Sequence, residues 1–225
     1  MSGTLDLFRT SQLQTLTIPG ANVQWMPALF DDGEATALFE ALSTSIEWRQ
    51  EDILIFGKRV PQPRLTAWYG DADAPYRYSG LQLTPRPWTA LLLQIRQRVE
   101  EVTRVQYNSV LLNLYRDGKD SMGWHSDDEP ELGDEPTIAS LSFGQPRPFQ
   151  LKPKKRDSGK IVSIELTSGS LLVMRGATQR NFLHAIPKSS RIHAPRINLT
   201  FRMIVPLATR RDANRGKSVG NAPPS

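Results

Sequence analysis

Three histidines occur in 225 residues, so each is a candidate for chemistry that only an imidazole does well. His125 stands in WHSDDE, Trp124 to Glu129, two positions before Asp127. In a strand, residues i and i+2 face the same way, about 7 Å apart along the backbone. His125 and Asp127 could therefore converge on one ion, although a histidine beside a solvated acidic loop has the same spacing. His184 lies in RNFLHAIPKS, directly after the apolar run SLLVMR, and is flanked by Leu183, Ala185 and Ile186. That setting suits a third ligand or a hydrogen-bonded core histidine. His193, in SSRIHAPR, is bracketed by polar residues and proline and is expected at the surface. Cysteine is absent, which excludes disulfides, thiolate metal sites and cysteine nucleophiles.

Two histidines and one carboxylate match the facial triad of non-haem Fe(II) oxygenases, which leaves coordination positions open. The same donors would also serve a hydrolytic zinc site. What fills the open positions must discriminate. RINLTFR, Arg196 to Arg202, alternates completely: Ile197, Leu199 and Phe201 on one face, Arg196, Asn198, Thr200 and Arg202 on the other. One reading is an edge strand with a wet outer face. The other turns the polar face inward, where two guanidiniums would need anions. A small dicarboxylate supplies them, because arginine holds a carboxylate through two parallel hydrogen bonds. Asn113 and Tyr115, in LLNLY, have the i, i+2 spacing and offer an amide and a phenol to the same ligand.

These residues must be held by a scaffold. FDDGEATALFEALS predicts a helix capped by Asp31 or Asp32, with Ala35, Leu38, Phe39 and Leu42 on one face. PRPWTALLLQIRQRVEEVT predicts a second, opening with proline and turning Leu91, Leu92, Ile95 and Val99 inward. IEW, ILIF and RLTAWY read as strands. From 109 to 205 six more follow in series: VLLNLY, TIASLSF, PFQLKP, IVSIEL, SLLVMR and INLTFRMIV. A run of short strands is a sandwich or barrel rather than alternating βαβ units. The class is therefore α+β, mainly β. Residues 1–22 read as a poorly ordered lead-in, 23–207 as one domain, and 208–225 as a basic disordered tail. No apolar run approaches the roughly 18 residues of a membrane span, and MSGTLDLFRTSQLQ lacks a signal-peptide core. A net charge of +5 is a weak pointer to a polyanionic partner. A cytoplasmic monomer, or a nuclear one in a eukaryote, is expected.

NLY, WHSDDE, His184 and RINLTFR, in that order, resemble the AlkB family of Fe(II)/2-oxoglutarate dioxygenases over roughly residues 50–205. The resemblance implies a double-stranded β-helix (jelly-roll) core, 109–207, with the N-terminal helices packed on one sheet. It implies a nucleotide-recognition and helical part over 23–108. It implies that His125, Asp127 and His184 bind Fe(II) and are catalytic. By the same resemblance Asn113, Tyr115, Arg196, Thr200 and Arg202 hold 2-oxoglutarate. Arg196 would take the distal carboxylate, Arg202 would lie nearer the iron end, and Asn198 would support. O2 is the other co-substrate. The implied activity is DNA repair: oxidative demethylation of N-alkylated bases such as 1-methyladenine and 3-methylcytosine, with release of formaldehyde and succinate.

A base inside a duplex is out of reach, so it must be flipped or unpaired. ILIFGKRVPQPRLTAWYGD resembles the family's nucleotide-recognition hairpin, with Phe56 and Gly57 near the tip; packing of its apolar residues on the core is the plainer alternative. YRYSG supplies Tyr76 and Tyr78, the latter matching an aromatic that stacks on the flipped base. Asp128 and Glu129 complete the family's HxDDE form and suit a cationic methylated base. Arg64 would contact substrate or neutralise those acids, and the basic stretch KPKKRDSGK could follow phosphates. An RNA demethylase, another 2-oxoglutarate oxygenase and a non-catalytic nucleic-acid-binding module are the alternatives.

Overall fold

A computed structural model describes residues 12–55, 58–74, 76–78, 81–83, 85–155 and 159–205, with the backbone alone at 53–55, 76–78 and 81–83. The first part of the chain carries β1 (Gln14–Leu16), β2 (Asn22–Met26), α1 (Asp32–Ser45), β3 (Asp52–Ile55), β4 (Lys58–Pro61), β5 (Leu65–Gly70), β6 (Tyr76–Tyr78), β7 (Leu81–Leu83) and α2 (Ala90–Thr103). There follow β8 (Ser109–Tyr115), β9 (Met122–His125), β10 (Ile138–Gly144), β11 (Arg147–Pro153), β12 (Val162–Leu166), β13 (Leu171–Arg175), α3 (Thr178–Asn181), β14 (Phe182–Ile186) and β15 (Arg196–Arg202).

Two antiparallel sheets form the body. The larger has the order β1-β2-β13-β10-β15-β8-β5 and the smaller β12-β11-β14-β9. This is the mainly β jelly-roll arrangement. Each strand of the larger sheet divides its side chains by parity. Val110, Leu112, Ala139, Leu141, Phe143, Ile197, Leu199 and Phe201 join Ala35 and Leu42 of α1 and Leu92, Ile95 and Val99 of α2 in one core. Leu111, Tyr115, Ile138, Leu172 and Met174 face the smaller sheet and meet Phe149, Leu151, Phe182 and Ile186 in a second. Both helices thus pack on one sheet, as the heptad-like spacing of their apolar residues requires.

Local chemistry explains both helix starts. Asp31 accepts from the Glu34 amide at 2.8 Å while Glu34 accepts from the Asp31 amide at 3.0 Å, a closed capping box. Thr89 caps α2, so this helix begins after the prolines rather than with them.

Several expectations need correction. Between 109 and 205 the described residues contain eight strands, not six; β9 and β14 were not anticipated. MGWH is short and contains glycine, and FLHAI follows a single helical turn, so neither shows a clear period. IEW is not a strand: α1 runs to Ser45, and the chain re-enters extended pairing only at the bridge Arg49–Thr66. The lead-in expected over 1–22 carries β1, which pairs with β2 and extends the larger sheet. The tail expected over 208–225 lies outside the described residues.

RINLTFR is central, not an edge. It pairs with β10 on one side and β8 on the other over its whole length, and all seven of its residues are buried. Leu199→Ala should therefore lower unfolding stability by about 2–5 kcal/mol, the cost of a core cavity. Thr200→Ser, one residue on and facing the other way, should stay within about 1 kcal/mol of the parent. Urea denaturation of the two variants checks the assignment of faces.

Candidate active site

The polar face of β15 opens into a cavity between the two sheets. Its wall includes Asn113, Tyr115, His125, Asp127, Ser140, His184, Arg196, Asn198, Thr200 and Arg202. The smaller sheet supplies the histidines. His125 ends β9, His184 is central in β14, and the two are directly paired across the strands. Their ring centroids lie 4.1 Å apart, and Phe149 stacks on His184 at 5.3 Å. Asp127 follows two residues after His125 and is 1% exposed. One donor atom from each of His125, Asp127 and His184 falls within 4.8 Å of the others. His193 is exposed, as its polar surroundings require.

Neighbouring groups orient all three. The His125 Nδ1–H donates to the Gly123 carbonyl at 2.9 Å, which leaves the Nε2 lone pair toward Asp127, 3.7 Å away. Asp127 Oδ2 accepts from Arg202 Nη2 at 2.8 Å and Nε at 3.2 Å. The Asp127 amide donates to Gln179 Oε1 at 2.9 Å. Asp127 Oδ1 is buried and accepts no hydrogen bond from the described residues. A buried carboxylate oxygen without a donor is costly, and a cation between it and two imidazoles would relieve the cost. The donor set fits Fe(II).

Charge follows from burial. Burial pushes the Asp127 carboxyl up, but Arg202 and then the two histidines outweigh it and hold it well below the usual carboxylate range. His184 is pushed down to about 3, first by burial and then by the second imidazole. His125 is lowered, again by burial first. At neutral pH the three groups are two neutral imidazoles and a carboxylate, the state a metal requires.

The arginines divide the cavity. Arg202 is committed to Asp127. Arg196 is 1% exposed and donates through Nη2 to Ser142 Oγ at 2.8 Å. Its Nε and Nη1 find no partner among the described residues, and its guanidinium lies 5.2 Å from the Tyr115 ring centre. Burial lowers its pKa to about 10, so it stays charged. Two unused donors on a buried cation are what a carboxylate of a small ligand would occupy. Asn198 Nδ2 donates to Ser140 Oγ at 2.8 Å and to the Leu141 carbonyl at 3.0 Å, and its Oδ1 accepts from Thr200 at 2.9 Å.

The substrate-side expectations meet the structure unevenly. Arg64 is buried, and its Nε donates to Asn113 Oδ1 at 2.7 Å, which joins it to the cavity wall. Asp128 is exposed and accepts from Ser126 and from Lys154, each at 2.8 Å, so the basic stretch approaches the rim of the site. Glu129 is half-buried at the start of a short 3-10 turn, Pro130–Leu132. The hairpin over 53–60 exists as β3 paired with β4, but Phe56 and Gly57 lie outside the described residues. Tyr76 and Tyr78 are on β6, paired with β7; their side chains lie outside the description too. Sequence reasoning missed Gln179, Ser140, Ser142 and Arg147. The two serines alternate in ASLSF and could have been found as the inward face of that strand. Gln179 carries no local signal.

This fold and this cavity define an oxygenase of the double-stranded β-helix type. The chain belongs to the 2OG-Fe(II) oxygenase superfamily, whose family model matches residues 22–202. Among its relatives is the alpha-ketoglutarate-dependent dioxygenase alkB homolog 3 of Bos taurus, 46% identical over 188 residues, 80% of this chain and 65% of that protein. The Homo sapiens protein of that name is 44% identical, with the same coverage. The DNA oxidative demethylase ALKBH2 of Mus musculus is 42% identical over 187 residues, 79% of this chain and 78% of that one. The chain thus spans about 65% of the length of the alkB homolog 3 relatives. The solved structure of OsALKBH1 superposes with a TM-score of 0.55 at 19% identity, covering 85% of this chain and 99% of that one, which is a likeness of fold. The resemblance carried by NLY, WHSDDE, His184 and RINLTFR is borne out.

The lowered His184 pKa has a measurable consequence. The unfolded chain binds a proton at His184 below about pH 6.5, whereas the folded chain does not until about pH 3. Metal-free protein should therefore lose stability as pH falls from 7, by about 2 kcal/mol from this residue at pH 5. Comparing the pH slope of His184→Asn with that of the parent measures the share; equal slopes would contradict the burial.

Proposed function

We propose that this chain is an Fe(II)/2-oxoglutarate-dependent dioxygenase that removes alkyl groups from N-alkylated bases in nucleic acid, with DNA as the preferred substrate. The observation that carries this reading is that one cavity holds both a two-histidine, one-carboxylate cluster and a buried arginine with unused donors. A hydrolytic zinc site would use the first and have no need of the second. In this reading His125, Asp127 and His184 hold the iron. Arg196 and Tyr115 hold the distal carboxylate of 2-oxoglutarate, and Asn113, Asn198 and Thr200 line its stem. Iron held there would supply hydroxylation of the alkyl carbon by O2, with 2-oxoglutarate giving up two electrons as it becomes succinate and CO2; a hydroxylated methyl group would leave as formaldehyde.

The chain's own residues do the aiming. Arg202 fixes the Asp127 carboxylate, leaving Oδ1 for the metal. The Gly123 carbonyl fixes the tautomer of His125. Apolar neighbours such as Phe149, Met174 and Ile186 exclude water from the reacting side. His125 is partly exposed and Asp128 lies at the rim, which suits entry of a flipped base from that side. The names of the relatives, DNA oxidative demethylase among them, support DNA over RNA.

The decisive test is anaerobic reconstitution with Fe(II) and 2-oxoglutarate, followed by air and a methylated oligonucleotide, with formaldehyde and the repaired base scored by mass. Demethylation that requires iron and 2-oxoglutarate is expected, faster on DNA than on RNA of the same sequence, and absent in Asp127→Ala. Succinate without demethylation would replace the substrate. Neither product from iron-loaded protein would favour a binding module. Arg196→Ala should raise the KM for 2-oxoglutarate on the order of 10- to 100-fold, the loss of a charge-assisted pair; an unchanged KM would remove Arg196 from the subsite.

A further inference from the structure

Arg147 opens β11 and is 1% exposed, yet it does not line the cavity. Its Nη1 donates to the Asp117 carbonyl at 3.0 Å, and its Nη2 donates to the carbonyls of Asp120 at 2.9 Å and Pro187 at 2.7 Å. Its guanidinium carbon lies 5.6 Å from the centre of the Tyr115 ring, the ring that Arg196 also approaches.

Those carbonyls belong to two connections that matter. Residues 116–121 join β8, which carries Asn113 and Tyr115, to β9, which carries His125. Pro187 directly follows β14, which carries His184. The two connections are already in contact: the Gly118 amide donates to the Ile192 carbonyl at 2.9 Å, and the Ser189 amide donates to the Gly118 carbonyl at 2.8 Å. A Cβ at Gly118 would collide with the Ser189 carbonyl, so no other residue allows this approach. Arg116 forks onto Asp120 at 2.8 and 2.9 Å, which stiffens the first connection further.

Three neutral carbonyls do not by themselves justify a buried cation, because desolvating a guanidinium is expensive. A second cation beside Arg196 raises that cost. Both arginines converge on one tyrosine. Asp120 and Asp117 lie near Arg147 and favour its charge from the loop side, while the direct carboxylate pairs among the described residues here go to Arg116 and Arg202. An anion placed at Tyr115 would compensate both charges at once.

We propose that Arg147 is a positioning residue for the 2-oxoglutarate subsite. It clamps the β8–β9 connection to the exit of β14, holds the Tyr115 ring in place, and adds a second positive charge behind the distal carboxylate. This rests on the dioxygenase reading above. Lysine keeps the charge but loses the planar fork that spans both connections.

The test uses full-length protein loaded with Mn(II), so that binding is read without turnover. Mn(II) affinity and the 2-oxoglutarate-dependent rise in thermal midpoint are measured for the parent, Arg147→Lys and Arg147→Met. Arg147→Lys should keep Mn(II) affinity within about twofold and weaken 2-oxoglutarate about tenfold, with Arg147→Met weaker still. Undiminished 2-oxoglutarate affinity in both variants would overturn the proposal, as would an equal loss of Mn(II) and 2-oxoglutarate affinity, which marks a merely structural role. Should the variants fold poorly, amide exchange in the parent decides: 2-oxoglutarate should slow exchange at 118–121 and 188–192, and no change there would overturn it. Absence of any 2-oxoglutarate response in Mn(II)-loaded parent would instead overturn the dioxygenase reading, and this inference with it.

Discussion

Charge buried between two sheets is the constraint on which the rest of this structure depends. A guanidinium taken out of water must meet an anion or a full set of acceptors. Arg202 meets Asp127, and the pair is short and nearly inaccessible. Asp127 Oδ1 has no hydrogen-bond donor among the described residues, and His125 and His184 place ring nitrogens close beside it. Among the described residues Arg196 has a serine hydroxyl and a tyrosine ring beside it and no carboxylate. The cavity is therefore built as two half-satisfied charge clusters of opposite need, one wanting a metal and one wanting a carboxylate.

Such a cavity requires a sheet whose inner face is polar, and that inverts the usual division of a surface strand. In β15 the apolar side chains point outward, and the strand would be unstable in water if nothing covered it. Leu42 of α1 and Leu92, Ile95 and Val99 of α2 supply that cover. The helices are thus part of the site in an energetic sense: they turn the outside of the larger sheet into a hydrophobic core, which releases its inside for polar work. The smaller sheet, packed against it through Phe149, Leu151 and Ile186, closes the cavity and brings both histidines into register.

Much of the site was legible because its residues lie on strands whose parity is readable. Asn113 with Tyr115, and Arg196 through Arg202, declare a common face by alternation alone. His125 and Asp127 were legible as a spacing, while His184 stood out mainly because so few histidines compete with it. The strands that hold the histidines were not legible. Four residues with a glycine, or five after a helical turn, give too little pattern for a period, and only pairing to neighbours makes them extended. Arg147 and Gln179 escaped for a different reason. Arg147 reaches three distant carbonyls and Gln179 accepts from the distant Asp127 amide, and hydrogen bonds to distant main-chain groups leave no trace in local composition.

By itself the sequence determined the donors, their order and the parity of the strands that carry them, because residue type and i, i+2 spacing are local properties. It also determined the two amphipathic helices, through caps and apolar spacing that need no partner to be recognised. Only the tertiary structure decided which face of RINLTFR is dry. Both faces satisfy the alternation equally, and the choice rests on whether helices or solvent lie outside the sheet. Tertiary structure likewise decided that His184 rather than His193 joins His125. That pairing depends on the register between β14 and β9, which is fixed by contacts across the whole sandwich and not by any residue within either strand.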